Sequence, residues 1–554
     1  MTTGGYHKRP NAWTPFLIFL TLVVGILMGY FLSNRLQTDT SFQIFEHKND
    51  PLQEIISLID AQYVDSVNKD SLFIDAVDGI LKHLDPHTVY IPASELAGAN
   101  EELEGSFKGI GIEFYRLKDT IQVTNVLSGG PSEKAGIMIG DKLIKINDTI
   151  VAGVTLPHDS LLKKLRGPEN STVKLTLLRY GQEKMIDKQI TRGTIPLYSV
   201  DAAYMLSPTT GYVKINRFSG TTVQEFKTAL AQLKKLGMAE LVLDLRQNPG
   251  GYMDAAVAVV DEFLDGDKLV VYTEGRKFQK EEYTATRPGT MEQARLVVLI
   301  DEGSASASEI VAGAMQDWDR AVVIGRQSFG KGLVQEQFQL SDGSAIRLTI
   351  ARYYTPIGRL IQRSYENGKS EYAHDYYKRL SDTVTNDSSF AKGKEYFSEL
   401  SHRKLYGQGG IHPDIVVPNV VIKNQDAMSF LMTTDVVNTE VYNYYNSHLT
   451  QLKAYKDLAS FQNSFSSNDL MATIKESFKS ENAAYTNQLW TSNSDVMLLQ
   501  KRVNAMLAKM LFGTSAFYQM MNDKDEVIQR AIETIQSDKY KTILSKPIIS
   551  PTTP

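Results

Sequence analysis

The chain has 554 residues, of which 42% are hydrophobic and 22% charged, so it is long enough for several domains and has the composition of an ordinary globular protein. Its 59 basic and 64 acidic residues give a net charge of −5, which excludes a bulk electrostatic binder of nucleic acid. It contains no cysteine, which excludes disulfides, thiolate metal sites and a cysteine nucleophile.

The first 35 residues predict a short cytoplasmic stub and a membrane anchor. No charged residue occurs between Arg9 and Arg35, and the segment 13–32 is almost wholly apolar. Twenty helical residues rise about 30 Å, the thickness of the hydrocarbon core. Lys8 and Arg9 precede the segment, which predicts a cytoplasmic N-terminus, one pass through the inner membrane and a periplasmic body. A cleaved signal peptide is the competing interpretation, but no small-x-small cleavage site follows Leu32.

Residues 36–98 are predicted to form a helical region. Apolar residues recur there at helical spacing in two stretches, Leu52, Ile55, Ile56 and Ile59, and then Ile74, Val77, Ile80 and Leu81. The sequence Leu-Asp-Pro-His at 84–87 ends this pattern, because proline stops a helix.

Residues 99–190 change to short strands separated by glycine turns. The predicted strands are Ile121–Val126, Leu143–Ile146 and Val173–Leu178. Before them, Phe-Lys-Gly-Ile-Gly-Ile at 107–112 has glycines where a backbone must approach a ligand closely. A glycine pair of this kind is also compatible with a plain hairpin turn.

The motifs that follow make this region resemble a PDZ domain. They are Gly-Pro-Ser-Glu-Lys-Ala-Gly at 130–136, Gly-Asp at 140–141, Ile-Asn at 146–147 and Leu-Arg-Gly at 165–167. Such domains add a peptide as an extra strand and hold its terminal carboxylate in a nest of N–H groups. The resemblance places that peptide-binding nest at Gly109, Ile110, Gly111 and Ile112.

Residues 191–421 alternate apolar strands with helical stretches, which predicts an α/β layered domain. The strands are centred on Leu241–Leu243, Leu296–Ile300 and Val322–Ile324. Within this domain, residues 364–408 are polar and are expected to be an insertion or a mobile loop. Residues 422–554 are predicted to be helical, with one apolar stripe formed by Val496, Leu499, Val503, Leu507 and Met510.

The candidate nucleophile lies among the serines at 304, 306 and 308. They follow the strand that ends at Ile300, at what is predicted to be the start of a helix. Backbone N–H groups and the helix dipole favour negative charge at such a turn, which suits a nucleophile. A serine there is also an ordinary helix cap. Residues two apart on a helix point about 200° apart, so only one of these serines faces a given partner.

The candidate base is Lys331, between Gly330 and Gly332. If this side chain is directed inward, burial lowers its pKa and a neutral lysine can take the proton of a serine. A surface lysine in a loop is the alternative. The segment 325–331 also fits the phosphate-binding pattern G-x-x-x-x-G-K. That pattern requires Ser or Thr next and then a helix, whereas Gly332 and a predicted strand follow, so ATP binding is rejected.

A glycine loop upstream supplies candidate oxyanion donors. The predicted strand at 241–245 runs into Arg-Gln-Asn-Pro-Gly-Gly at 246–251, where backbone N–H groups can complete an oxyanion hole. A plain turn is the alternative. The histidines are scattered without a metal-binding or Ser-His-Asp motif, and we interpret His87 and His412 as turn residues. No metal site and no cofactor are implied.

Together these motifs resemble the C-terminal processing, or tail-specific, peptidase family. They match over about residues 50–360 and 409–420, and include Leu-Arg-Gln-Asn-Pro-Gly-Gly at 245–251, the serine motif at 304–310, Ser-Phe-Gly-Lys-Gly at 328–332, Tyr-Thr-Pro at 354–356 and Gly-Ile-His-Pro-Asp at 410–414. The resemblance implies a Ser-Lys protease with a crotonase-like or ClpP-like α/β core and an inserted PDZ domain.

Carried over by position, the resemblance makes Ser306 the nucleophile, Lys331 the general base and Gln335 the group that orients it. The N–H groups of Ala307 and of Gly250 or Gly251 would form the oxyanion hole. Asp317 is given a structural role at the helix of the nucleophile.

The function implied is a membrane-anchored serine endopeptidase that binds protein substrates with free, apolar C-termini and cleaves them through an acyl-enzyme. The alternatives are a catalytically silent PDZ scaffold on a peptidase-like core and a crotonase-type acyl-CoA enzyme. The intact Ser-Lys pair argues against both. The insertion and the C-terminal helices lie outside the matched motifs, so a homodimer and an adaptor protein stay open as partners.

Overall fold

The computed structural model describes residues 51–117, 119–154, 156–381 and 394–545. The chain divides into two compact units, Met1–Val77 and Asp78–Pro554. The described part of the first unit holds helix α1 (Pro51–Gln62) and most of helix α2 (Lys69–Leu81). The predicted anchor at 13–32 lies outside the described residues. Within the described ranges, no helix combines the length and the apolar character that a bilayer span requires.

The second unit begins with a short strand, β1 (Val89–Ile91), and helix α3 (Ala93–Glu104). This helix runs across residue 98, the position at which the sequence predicts a domain boundary. It ends at Gly105, which has a φ of +77° and whose N–H donates to the carbonyl of Glu101. A Cβ at this glycine would lie 2.8 Å from the hydroxyls of Ser219 and Thr221, so the turn needs glycine for close approach as well as for its backbone angle.

Residues 106–196 form a small β domain. Its elements are β2 (Ser106–Gly109), β3 (Ile112–Leu117), β4 (Thr120–Val126), α4 (Pro131–Lys134), β5 (Lys142–Ile146), β6 (Thr149–Ile150), α5 (His158–Leu165), β7 (Thr172–Leu178), β8 (Ile186–Thr191) and β9 (Gly193–Pro196). Strands β4, β5 and β7 each start one residue before the predicted position. Strand β2 pairs with β9, so the chain enters and leaves this domain at one place, as an inserted domain does.

The main sheet of this small domain has the order β3-β4-β5-β7-β8, with β6 paired to β5. Strand β3 therefore lies at an edge. An edge strand has unpaired backbone groups that can accept another strand. Helix α5 lies beside it, and the apolar core between them includes Ile110, Leu161 and Leu165.

The α/β domain that follows contains the largest core of the chain. Its elements are β10 (Val200–Met205), β11 (Thr210–Ile215), α6 (Thr222–Lys235), β12 (Glu240–Asp244), α7 (Met253–Val260), β13 (Leu269–Glu274), β14 (Glu281–Thr284), β15 (Arg295–Ile300), α8 (Ala307–Asp317), β16 (Val322–Gly325), β17 (Leu333–Gln339) and β18 (Ala345–Tyr354). Each strand predicted here is found within one residue of its predicted bounds.

The central sheet has the order β10-β11-β12-β15-β16-β21, where β21 is Ile415–Val416. Strand β10 is antiparallel to β11 and the others are parallel. Both faces are buried, which explains why these strands are continuous apolar runs. Leu241 and Leu243 pack on the face covered by α6, α7 and α8, whereas Val242 packs on the opposite face.

A second sheet, in the order β1-β18-β13-β14 with β17 beside β18, packs near the nucleophile helix α8. Strands β17 and β18 form a long antiparallel hairpin. Strand β1 pairs with β18 at Val89 and Arg347, so the motif at 84–87 is held beside this sheet.

The sequence predicts either an insertion or a mobile loop at 364–408, and the described part of this segment does not fit the second alternative, because it is structured. It contains helix α9 (Gly368–Ser381) and the hairpin β19 (Glu395–Phe397) and β20 (Lys404–Tyr406). Its polar composition led to the loop prediction. Arginine side chains that bind carboxylates and backbone carbonyls hold it in place, and a hydropathy pattern does not show such contacts.

The C-terminal region is helical, as predicted. Its helices are α10 (Gln425–Thr433), α11 (Val436–Ser447), α12 (Leu449–Leu452), α13 (Leu458–Ser464), α14 (Asn468–Glu481), α15 (Ala483–Trp490), α16 (Asn493–Phe512), α17 (Thr514–Asn522), α18 (Glu526–Ile535) and α19 (Lys539–Ser545). Most of them share a core of their own. Helices α18 and α19 instead cover the second face of the central sheet, where Ile528 and Ile535 pack on Val297 and Leu299.

Candidate active site

Ser306 lies at the turn between a buried strand and a buried helix. Strand β15 ends at Ile300, and Ser306 is the N-cap of helix α8. Its φ is +54°, a backbone region that costs free energy for a residue with a side chain and that is often found at functional sites. The N-terminus of the helix carries partial positive charge, which favours an anion here.

The two neighbouring serines are already bonded to the backbone. Ser304 is fully buried, and its Oγ donates to the carbonyl of Leu245 at 2.8 Å. Ser308 is also fully buried, and its Oγ donates to the carbonyl of Asn248 at 3.0 Å. Ser306 is part-exposed and lines a cleft. The structure thus singles out Ser306, which spacing in the sequence does not.

Lys331 lies in the loop between β16 and β17 and lines the same cleft as Ser306. Its Nζ donates to Gln335 Oε1 at 2.8 Å. The side chain of Gln335 is held in turn, because its Nε2 donates to the backbone carbonyl of His87 at 2.6 Å. The strand register shifts between Val334 and Gln335, and such a bulge re-aims the side chain beside it.

Lys331 is desolvated. Burial lowers the pKa of its ammonium group, and the positive charge of Arg347 lowers it further, while Asp85 and Glu309 oppose the shift. Among the described residues, no carboxylate forms an ion pair with its Nζ. A lysine whose pKa is lowered in this way takes the neutral form more readily, as a general base must.

The buried carboxylate of Glu309 joins the backbones of the two candidate catalytic residues. Its Oε2 accepts the N–H of Ser306 at 2.8 Å and the N–H of Lys331 at 2.9 Å. Its Oε1 accepts the N–H of Gly330 at 2.7 Å and the hydroxyl of Ser328 at 2.5 Å. All four partners are donors, so the carboxylate form satisfies every one of them. Burial nevertheless raises the pKa of Glu309 to about 7.

Tyr353 makes the matching contact on the carbonyl side. Its buried hydroxyl lies 3.0 Å from the carbonyl oxygen of Ser306 and 2.6 Å from that of Lys331. Burial raises the pKa of this phenol well above its ordinary value, so the hydroxyl keeps its proton and donates. Glu309 and Tyr353 together form a backbone clamp, which binds the N–H and C=O groups of both residues.

The glycine loop lies directly against Ser306. A Cβ on Gly250, which has a φ of +100°, would lie 2.8 Å from Ser306 Cβ and from the carbonyl of Ala305, so only glycine fits. The N–H of Gly250 donates to Asn248 Oδ1 at 2.9 Å. Within the described structure, the N–H groups of Gly251 and Ala307 have no acceptor, and both residues line the cleft. They are therefore better candidates for oxyanion donors than Gly250, whose N–H group is already bonded.

The cleft encloses about 800 Å³. Its walls come from helix α3, the glycine loop, the start of α8 and the β17–β18 hairpin. Asn100 of α3 is held to the hairpin, since it accepts a hydrogen bond from Gln337 at 3.0 Å. Besides Lys331, the charged residues that line the cleft are Arg217, Arg347, Glu102 and Glu336.

Asp317 does not line the cleft. It is the last residue of α8, about 16 Å along the helix from Ser306. It is fully buried and forms an ion pair with Arg359, which is also fully buried, and it accepts the N–H of Ile357 at 3.1 Å. It anchors the far end of the nucleophile helix.

A second, smaller groove lies in the domain at 106–196. It encloses about 240 Å³ between the edge strand β3 and helix α5. Gly109, Ile110, Gly111 and Ile112 line it, as the resemblance implies. Ile110, Phe114, Leu162 and Leu165 make its floor apolar. At its mouth Arg166 lies over the ring of Phe107 at 4.8 Å and pairs with Glu101 of α3 at 2.7 Å.

Sequence reasoning missed three groups of this site: Glu309, Tyr353 and His87. A signal existed for Glu309, because a serine followed three residues later by glutamate is a capping box. Nothing in the sequence around Tyr353 indicates its contacts. His87 was interpreted as a turn residue. Its N–H does donate to Asp85 Oδ1 at 2.9 Å, but its carbonyl also holds Gln335. Among the described residues, no cluster of acidic and histidine side chains could hold a metal ion.

Two family models match parts of this chain. A model of peptidase family S41 matches residues 209–367, and a PDZ domain model matches residues 109–190. A probable CtpA-like serine protease of Staphylococcus aureus is 35% identical over 362 residues, which are 64% of this chain and 71% of that protein. A carboxy-terminal-processing protease of Bartonella bacilliformis is 37% identical over 314 residues, 56% of this chain and 71% of that protein.

Among solved structures, the PDZ domain of a carboxy-terminal protease from Vibrio cholerae, in complex with a peptide, is 28% identical to this chain. It aligns with 17% of this chain and 99% of its own length at a TM-score of 0.16.

Proposed function

The chain belongs to peptidase family S41 and is a serine-type C-terminal processing peptidase with a PDZ domain, and from this premise we propose that it cleaves proteins with Ser306 and Lys331 as a catalytic dyad. One observation carries the proposal. Lys331 is desolvated, lacks an ion-pair partner among the described residues, and shares the cleft with the one accessible serine of the motif.

In this mechanism neutral Lys331 takes the proton of Ser306 as Oγ attacks the scissile carbonyl. Gln335 holds the Nζ in place during this step. The N–H groups of Ala307 and Gly251 stabilise the oxyanion, helped by the N-terminus of α8. Lys331 then gives the proton to the leaving amine, and water hydrolyses the acyl-enzyme by the reverse sequence.

Substrate selection is assigned to the groove between β3 and α5. A peptide that adds to the free edge of β3 would bring its terminal carboxylate to the N–H groups near Gly109 and Gly111. The apolar floor of the groove favours an apolar last side chain. Protein substrates with free, apolar C-termini are therefore the proposed class.

The location proposed for the enzyme follows from its N-terminal sequence. An uncleaved anchor at 13–32 would hold the body on the periplasmic side of the inner membrane. Expression of the full chain and of a chain that starts at residue 36, followed by membrane fractionation and protease accessibility, tests this. Release of both chains into the soluble fraction would refute the anchor.

The layering supports the assignment of a crotonase-like or ClpP-like core. Helices cover both faces of a mostly parallel sheet, and the nucleophile turn lies at the carboxyl end of a central strand.

The deciding experiment compares four proteins on an unfolded substrate with an apolar C-terminus. These are the parent, Ser306→Ala, Lys331→Ala and Leu162→Glu, with Lys163→Gln as a matched control on the exposed side of α5. We expect cleavage by the parent and the control, none by the two dyad variants, and a raised KM with unchanged kcat for Leu162→Glu. Cleavage by Ser306→Ala, or no acylation of Ser306 in the parent by a serine-directed probe, would refute the dyad.

A further inference from the structure

Helix α9 lies just beyond the part of the chain that the family model matches. That match ends at residue 367, and the helix begins at Gly368. The helix nevertheless packs on the loop that carries Lys331. Three contacts connect the helix to this loop. One is with the loop backbone, one is with an aromatic ring of the loop, and one is indirect, through the residue that holds Gln335.

The backbone contact is made by Arg379. Its NH2 donates to the carbonyl of Phe329 at 2.8 Å, and its NH1 donates to the carbonyls of Ser328 and Gly409, both at 3.1 Å. Loop carbonyls outside a ladder need donors, and the planar fork of arginine can serve several at once. Arg379 therefore holds the backbone two and three residues before Lys331.

The aromatic contact involves Arg363 and Phe329. The guanidinium of Arg363 lies 3.9 Å from the ring centre of Tyr372 and 4.6 Å from that of Phe329. Its NH1 pairs with Asp375 of α9 at 2.7 Å, and its backbone N–H donates to the carbonyl of Gly330 at 2.9 Å. The side of the loop that faces away from the cleft is thus packed against the helix.

The third contact passes through His87. The hydroxyl of Tyr372 lies 3.0 Å from His87 Nε2. The carbonyl of the same histidine accepts the Nε2 of Gln335, whose Oε1 accepts the Nζ of Lys331. Burial lowers the pKa of His87 to about 4, so its ring is neutral and can accept from the tyrosine. Tyr372 is itself buried, which fixes this arrangement.

The helix does not touch the substrate cleft. None of the residues that line it comes from 368–381. A change in α9 should therefore alter the position of the base without altering the binding of substrate.

We propose that α9 is a positioning element for the general base. Arg379 holds the backbone of the Lys331 loop, and Tyr372 acts through His87 on Gln335, which receives the Nζ of Lys331. The inference rests on the proposed Ser306–Lys331 chemistry and extends it to an element outside the matched part of the family.

The test uses the full chain with Tyr372→Phe and Arg379→Lys, and Tyr377→Phe as the matched control. Tyr377 lies on the same helix with 67% of its surface exposed. For the first two variants we expect kcat to fall about 10- to 100-fold, because a displacement near 1 Å costs rate on this order, while KM stays unchanged. The control should equal the parent.

The pH profile separates positioning from mere packing. The groups that face Lys331 are Arg347, Asp85, Glu309 and His87, and neither substitution changes any of them. When Gln335 loosens, the ammonium gains solvent and the pKa of Lys331 moves back towards its ordinary value. The acid limb of kcat/KM should therefore move to higher pH in Tyr372→Phe.

The inference is overturned if Tyr372→Phe has the same kcat and KM as the parent and the acid limb of its kcat/KM profile is not shifted. This holds whether or not its melting temperature changes. Tyr372→Phe keeps the volume of the side chain, so it decides the matter even if Arg379→Lys fails to fold. Ser306→Ala is run in parallel. An inactive parent would refute the proposed function itself, whereas an active parent with an equally active Tyr372→Phe would refute only the role of α9.

Discussion

At the scale of single residues, the backbone clamp joins the two residues of the proposed dyad. Glu309 binds the N–H groups of Ser306 and Lys331, and Tyr353 binds their carbonyls. The two residues are 25 positions apart and on different elements, so no local structure sets the distance between them. The clamp also helps to offset the free-energy cost of the positive φ of Ser306, because such a conformation persists only where the surrounding structure holds it.

Tyr353→Phe tests the clamp with almost no change in volume. Loss of the hydroxyl removes the donor to the carbonyl of Lys331, whereas the carbonyl of Ser306 still accepts the N–H groups of Glu309 and Ile310. We expect the free energy of unfolding to fall by about 1–2 kcal/mol. The Ser306–Lys331 geometry should relax, and kcat should fall about 10-fold or more. The adjacent Tyr354→Phe is the control, because its ring stacks on Tyr272 and faces away from the clamp. Equal kcat values for the two variants would contradict the role given to Tyr353.

Glu309 should give activity and stability opposite dependences on pH. The four donors require the carboxylate, so activity should rise with pH through about 7. The folded state holds this proton up to about pH 7, whereas an unfolded glutamate loses it near 4.5. The contribution of Glu309 to stability is therefore largest below pH 4.5 and is lost as pH rises through 7.

Denaturant unfolding of the parent and of Glu309→Gln between pH 4.5 and 8 measures this. As pH rises over this range, the unfolding free energy of the parent should fall by about 3 kcal/mol relative to that of Glu309→Gln. This magnitude follows from about 1.4 kcal/mol for each unit by which folding raises the pKa of Glu309. The variant should also lose most activity at every pH, because its amide NH₂ faces donors. A pH-independent difference would show that Glu309 keeps an ordinary pKa.

At the scale of elements, the insertion is held by buried charges. Arg403, the residue just before β20, is fully buried and pairs with Asp319 at 2.6 Å and with Asp414 at 2.7 Å. Asp414 also accepts the N–H of Val323, which joins the hairpin to the central sheet. Polar residues of the insertion therefore anchor it through buried ion pairs, and they do not simply mark a segment exposed to solvent.

Arg403→Met should leave two buried carboxylates without their partner. We expect a loss of about 3–5 kcal/mol in unfolding free energy, since removal of one partner from a buried pair leaves an uncompensated charge. Arg530→Met is the control. Arg530 is exposed and pairs with Glu533 at 3.5 Å, so its loss should cost no more than about 1 kcal/mol. Similar costs for the two variants would mean that the insertion is not anchored here.

At the scale of the whole molecule, the C-terminal helices connect the other parts of the second unit. Helices α18 and α19 cover one face of the central sheet. Helices α11 and α16 contact the PDZ sheet, where Asp435 accepts the hydroxyl of Tyr115 at 3.0 Å and Lys509 pairs with Glu113 at 2.9 Å. Both PDZ residues lie on the edge strand β3, so these helices set how the peptide groove is held relative to the core.

Ile528→Ala tests whether the C-terminal helices are part of the core. Ile528 is 1% exposed against the central sheet, so a cavity there should cost about 2–5 kcal/mol in a single cooperative transition. Ile150→Ala is the control, because that side chain is 55% exposed. A small cost at Ile528, or an early separate transition that leaves peptidase activity intact, would show that α18 is an independent appendage.

The sequence by itself determined the elements and the family. Six strands were predicted within one residue of their bounds. Those of the central sheet are buried on both faces and are therefore unbroken apolar runs, such as Leu296–Ile300. Short motifs that occur in order along the chain identified the PDZ groove, the serine turn and the lysine loop.

Only the tertiary structure decided which serine is free, how Lys331 is held and how the insertion is anchored. Ser304 and Ser308 are excluded by bonds to Leu245 and Asn248, some 60 positions away. The supports of Lys331 come from residues 87 and 309 and from residues 335 to 379. Periodicity records the burial of neighbours along the chain, whereas these bonds exist only after distant segments have packed together, so no local pattern encodes them.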